Sequence, residues 1–183
     1  MRAKDVAIAA ISTSIFAMTM IIVSPLVIVP GAIIFYIPAA WQLLWPIWFG
    51  IPGCFGIFIG NLIGCYFKGV YGISALIEAL GNSLSGLIPY FTIPSKAANP
   101  KTKKDVLILF LTFLPGKAIG TLITVSGYLL FMPWQTAFLY VYPAYMTFDL
   151  IWQFTVGLLL LKTITPILRQ IGVYYGVYAE RKR

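Results

Sequence analysis

Histidine is absent from this 183-residue chain, and charge is scarce. Asp, Glu, Lys and Arg make up 10% of the residues, against roughly 25% in a soluble globular protein. Without histidine the chain lacks the commonest general base and the commonest metal ligand. Two cysteines, Cys54 and Cys65, lie in one apolar stretch and form no CxxC pair, so they read as small packing residues rather than a disulfide framework. Sequence motifs for chemistry are missing as well. There is no GxxxxGKS/T, GxSxG or HExxH, and no Gly-Asp arrangement typical of intramembrane aspartyl proteases. The chain is therefore not expected to be an enzyme, to hydrolyse ATP or to hold a cofactor or metal. Energy for any active transport would come from a partner or an ion gradient.

What the chain does have is apolar surface. Hydrophobic residues make up 60% of it, and the mean hydropathy is +0.92. Its apolar runs suit a bilayer, which takes about 20 apolar residues per helix. The expected fold is an all-α membrane protein, one six-helix transmembrane bundle. Spans are expected at about 6–27, 33–49, 54–67, 71–93, 106–131 and 138–164, before a basic, tyrosine-rich cytoplasmic tail at 165–183. Arg2 and Lys4 before the first run resemble a signal peptide, but no small-x-small cleavage site follows, so an uncleaved span is expected. The net charge of +8 does not point to nucleic acid, because the cations flank apolar runs. With the N-terminus inside, Arg2, Lys4, Lys96, Lys101, Lys103, Lys104, Lys162, Arg169, Arg181, Lys182 and Arg183 all face the cytoplasm. Only Lys68 falls in an outer loop, and Lys117 lies within a span. This bias places both termini in the cytoplasm, and five or seven spans would split the basic segments between the two sides. The expected location is the plasma membrane.

Three features can carry function. The first span has small residues at Ala3, Ala7, Ala10, Ser14 and Ala17, spaced to share one helix face. Small faces let helices approach closely in lipid, here either a partner subunit or a neighbouring span. Gly56, Gly60 and Gly64 of the third span read as internal close packing. The ionisable residues Glu78, Lys117 and Asp149 sit at intramembrane depth, where such groups face a cavity or one another. With Asn61 and Asn82 they line one outward cavity, or Lys117 and Asp149 form a structural ion pair. Tyr71, Trp134 and Tyr145 crowd the outer turns, as stacking groups for a flat ligand or as an ordinary aromatic belt.

Three stretches resemble the substrate-binding S components of energy-coupling factor (ECF) vitamin transporters. They are the Ala3 to Ala17 face, the glycine-rich run Ile51 to Gly64, and Tyr142-Pro-Ala-Tyr-Met-Thr-Phe-Asp149 with its Pro166-Ile-Leu-Arg169 exit. The resemblance implies a six-helix bundle whose outward pocket captures a vitamin-like or nucleobase-like nutrient. It also implies a transmembrane coupling subunit, docked on Ala3 to Ala17, and two cytoplasmic ATPases. Pro52-Gly53 and Asn61-Leu62 resemble queuosine-precursor transporters, although the acidic residue those proteins carry early in the second span is replaced by Trp41-Gln42. The alternative is a small, non-transporting multispan scaffold of a membrane assembly complex, in which the charges only pair helices.

Overall fold

The computed structural model describes residues 3–29, 32–33, 36–94 and 97–174, with 26–29 and 32–33 described by backbone alone. Arg2, Lys96, the tail cations Arg181, Lys182 and Arg183, and tail residues 175–183 lie outside the described residues. Among the described residues the chain is helical apart from its turns and one small antiparallel ribbon. Its elements are α1 (Ala3–Val23), the ribbon β1 (Val27–Val29) and β2 (Ala32–Ile33), α2 (Ala39–Phe49), α3 (Ile51–Lys68), α4 (Gly72–Thr92) and α5 (Lys103–Ser126). A last rod, Thr136–Gln170, contains α6 (Tyr142–Trp152) and α7 (Leu158–Gln170), with π-helical segments at Thr136–Val141 and Gln153–Gly157.

Among the described residues, four helices are long and apolar enough to cross a membrane: Ala3–Val23, Ile51–Lys68, Lys103–Leu130 and Thr136–Gln170. Large apolar side chains such as Ile11, Ile22, Leu111 and Leu122 cover the outside, as a lipid solvent permits. The fourth expected span is a helix of suitable length, α4, but its polar inner face lowers its hydropathy. The second differs more. Helix begins only at Ala39, and eleven residues rise about 16 Å, roughly half of a 30 Å hydrocarbon core. Of α2, only Trp41 and Phe49 escape full burial. This short helix is the axis of the bundle, with Trp45 and Trp48 in the main core alongside Phe16, Ile57 and Phe113. Pro166, expected to end the last span, lies inside α7, so the first residues of the expected tail are helical.

Glycine decides how the helices pair. Gly56, Gly60 and Gly64 of α3 lie against Ser12, Phe16 and Met20 of α1, residue for residue at the same spacing of four. A methyl group on Gly60 would sit 2.8 Å from the Thr13 carbonyl oxygen and 2.9 Å from Phe16 Cβ. The two rows interdigitate as ridges and grooves of equal pitch, and α1 and α3 run parallel. A parallel pair requires a return path, which the ribbon and α2 supply. In the turn between α2 and α3, Gly50 takes φ 64°, ψ −142°, a region open only to glycine. Helices α4 and α5 run antiparallel, with Gly81 against Gly120 and Thr124, and Gly116 against Pro89.

α1 therefore packs with the face carrying Ser12, Phe16 and Met20 rather than with the small-residue stripe. Ala3, Ala7, Ala10 and Ser14 are exposed, and only Ala17 is buried. Lys4 Nζ donates to the Gly172 carbonyl at 2.9 Å, so the start of α1 meets the chain after α7. At this same end Thr102 and Asp105 form a reciprocal capping box on α5, which satisfies two amides of its first turn.

Candidate functional site

α4 is amphipathic in the inverted sense. Ser74, Glu78, Asn82 and Ser85 are buried at spacings of four, four and three, while Ile73, Leu76 and Leu80 face outward. An ionisable group in an apolar surround needs partners, and each one here has them.

Lys68 differs from the expectation. It is not in an outer loop. It is the last residue of α3, where Gly69 at φ 80° caps the helix, and its side chain turns inward with 1% exposure. Lys68 Nζ is paired with Glu78 Oε1 and donates to the Tyr128 hydroxyl at 3.1 Å. Tyr128 donates its proton to Glu78 Oε2 at 2.8 Å. The bond between the Tyr128 and Tyr145 hydroxyls, 3.0 Å long, must then run from Tyr145 to Tyr128, because a phenol has one proton to give. Both oxygens of Glu78 are satisfied, and four elements are joined.

A second network lies deeper. Lys117 of α5 is paired with Asp149 Oδ2 of α6 and donates to Gln42 Oε1 of α2 at 2.9 Å. The same Gln42 oxygen accepts from Gln153 Nε2 at 3.0 Å, and Gln42 Nε2 donates to Asn82 Oδ1. Asn82 in turn donates to the Glu78 carbonyl at 3.1 Å. Gln42, fully buried, is the hub that ties α2 to α4, α5 and the last rod.

Between the two networks is a small cavity lined by Tyr36, Glu78, Asn82, Lys117, Thr121, Thr124, Tyr145 and Asp149. Its volume of about 10 Å³ has room for roughly one water. Two buried polar atoms on its wall, Asp149 Oδ1 and the Thr121 hydroxyl, have no hydrogen-bond partner among the described residues. The four charged groups around it form two pairs, so the formal charge of the site is zero.

Five sequence candidates converge here: Glu78, Asn82, Lys117, Asp149 and Tyr145. Asn61 is one contact away, donating to the Tyr36 hydroxyl at 3.3 Å. Tyr71 and Trp134 are not brought to the site, being 61% and 58% exposed. Tyr71 precedes α4 in extended backbone and packs edge-on against Tyr66. Sequence reasoning missed Tyr36, Thr121 and Thr124 on the wall, and Gln42, Lys68, Tyr128 and Gln153 behind it. Thr121 and Thr124 follow Lys117 by four and seven residues, and Gln153 follows Asp149 by four, so helical spacing carried a signal for these three. Tyr36 precedes the α2 helix and carried none.

No protein-family model, curated protein or solved structure matches the chain.

Proposed function

We propose that this protein is the substrate-capture subunit of an ECF-type importer, binding an uncharged or zwitterionic vitamin-like or nucleobase-like solute between α4, α5 and α6. The observation that carries the reading is the pair of unpartnered atoms on the cavity wall, Asp149 Oδ1 and the Thr121 hydroxyl. Buried polar groups are normally bonded, so a carboxylate oxygen left open inside a membrane bundle calls for a donor in the cavity, which a water or a donor group of a bound solute can supply. The cancelled charges favour a solute without net charge, since desolvating one would go uncompensated.

The wider reading has the chain passing the bilayer six times, the second time over the expected span 33–49, of which α2 is the described helix. Among the described residues the exposed cations, Lys4, Lys101, Lys103, Lys104, Lys162 and Arg169, lie towards the end where α1 starts and α7 ends. Lys68, the one cation of the opposite end, is buried. That asymmetry supports cytoplasmic termini in a plasma membrane and a cavity that faces outward. The exposed Ala3, Ala7, Ala10 and Ser14 would dock on a transmembrane coupling subunit whose two ATPases drive uptake. A queuosine precursor, a flat heterocycle rich in donors, fits this chemistry.

A second reading, a non-transporting scaffold, draws on the ion pairs themselves, which already join α3 to α4 and α5 to α6. Native mass spectrometry of the complex, extracted gently from its own membrane, separates the two. The capture reading expects a stoichiometric small molecule of no net charge, together with ATPase subunits. An empty protein without ATPases refutes it in favour of the scaffold.

A further inference from the structure

The cavity has room for about one water, so any larger solute requires part of the wall to move. The wall is unequal. α4 and α5 close on each other through glycines, with Gly81 and Gly120 leaving no space for a side chain. α6 is held differently. Of its eleven residues only Asp149 is buried, and its polar ties to the bundle at cavity level include the Tyr145–Tyr128 hydrogen bond, a long Tyr142–Ala118 carbonyl bond of 3.5 Å and the Asp149–Lys117 pair. The segments on either side are better anchored. Ala137 and Val141 pack with Val125 and Tyr128, while Gln153 bonds Gln42 and Gly157 lies against Leu43.

Both anchors are π-helical, Thr136–Val141 and Gln153–Gly157. A π turn holds one residue more than an α turn and so stores slack in a helix; such turns recur at functional sites. Pro143, near the start of α6, also removes one helical N–H from the strap. A segment with one fully buried residue, held by polar latches and by the partly buried Tyr142, Tyr145, Leu150 and Trp152, and set between two slack turns, is the part of this wall that can bow.

We propose that α6 is the gate of the cavity, a strap that bows outward between its two π-helical anchors when the Tyr145–Tyr128 latch opens. The inference rests on the capture reading for its purpose, but its test needs no ligand. A solute that donates to Asp149 and displaces the Tyr145 hydroxyl would occupy the space the strap leaves.

The test uses the full chain in lipid nanodiscs, with Cys54 and Cys65 replaced by alanine and Thr121→Cys as the reporter. A charged methanethiosulfonate reagent is larger than the closed cavity, so its reaction rate reports opening. Tyr145→Phe removes one hydroxyl and keeps the ring. Loss of the Tyr145–Tyr128 hydrogen bond should raise the open population, and with it the labelling rate, by roughly fivefold or more. Equal rates in the two proteins, or no labelling in either, overturn the gate.

A second measurement avoids the cavity altogether. Spin labels at the exposed positions Thr147 and Leu76 span the strap and α4, and labels at Leu139 and Ile73 span the anchor and α4. Tyr145→Phe should broaden the first distance distribution and leave the second unchanged. Broadening of both, or of neither, refutes a strap between fixed anchors. A moving gate in a protein from which no small molecule is recovered would sink the capture reading and spare this one.

Discussion

Replacing Lys117 by methionine should cost this protein much of its stability, whereas replacing both Lys117 and Asp149 should not. The side chains of the pair are 1% and 3% exposed, and Asp149 Oδ1 already lacks a partner. In Lys117→Met the carboxylate loses its cation and the one hydrogen bond it has among the described residues, and must either stay charged in an apolar surround or take up a proton. Stranding one member of a buried pair costs about 3–5 kcal/mol. For a chain of this length each kcal/mol moves the midpoint by about 2–4 °C, so the melting temperature should fall by roughly 6–20 °C. Asp149→Leu should fall less, because Lys117 keeps its 2.9 Å bond to Gln42. The double variant Lys117→Met/Asp149→Leu removes both charges and leaves Gln42 Oε1 its bond from Gln153. Apolar replacement of a whole buried pair is commonly neutral or stabilising, so this protein should melt within about 5 °C of the parent while binding no solute. Thermal unfolding in detergent, read by gel filtration of the surviving fraction, measures all three. The reasoning is refuted if Lys117→Met melts with the parent, or if the double variant loses the sum of the two single losses.

Two further contrasts follow from the packing. Gly60→Leu forces a branched side chain against the Thr13 carbonyl and Phe16, and should abolish a monodisperse folded peak, whereas Ala7→Leu with Ala10→Leu should leave that peak unchanged and eliminate co-purification of a coupling subunit; retention of the subunit would count against that docking face. Gln42→Leu deprives Asn82 of a donor and Gln153 of an acceptor, and at about 1–3 kcal/mol for each stranded group should lower the melting temperature by several degrees and weaken solute binding; a variant with parental stability would mean that Gln42 is not the hub.

The residues show where a linear reading succeeds. Glu78, Lys117 and Asp149 stood out because a charge in a long apolar run has few tolerable environments, and all three are buried around one cavity. Tyr71 and Trp134 were named by the same logic of position, yet an aromatic near a turn has two acceptable solvents, the interface and the pocket, and the backbone before α4 turns Tyr71 outward. Lys68 was misplaced because hydropathy marks where a residue's backbone lies and not where a long side chain reaches. It snorkels inward to Glu78, the reverse of the usual direction, because a buried carboxylate waits there. Gln42 was noted only as standing, with Trp41, where an acidic residue was expected; its importance depends on three partners 40, 75 and 111 residues away.

Composition and the order of apolar runs by themselves determined that this chain has helices able to cross a membrane, and which residues within them had to face inward, because a lipid solvent penalises unpaired polar groups wherever they occur along the chain. Which faces meet was decided only by tertiary structure. The small-residue stripe of α1 and the glycines of α3 are equally good contact surfaces in isolation, and the fold buries the glycines against Ser12, Phe16 and Met20 while leaving most of the stripe exposed. The same holds for the site. Two lysines and two carboxylates can pair in two ways, and the choice of Lys68 with Glu78 and Lys117 with Asp149 follows from the packing of α3 beside α4 and of α5 beside α6, an arrangement of whole helices that no local pattern encodes.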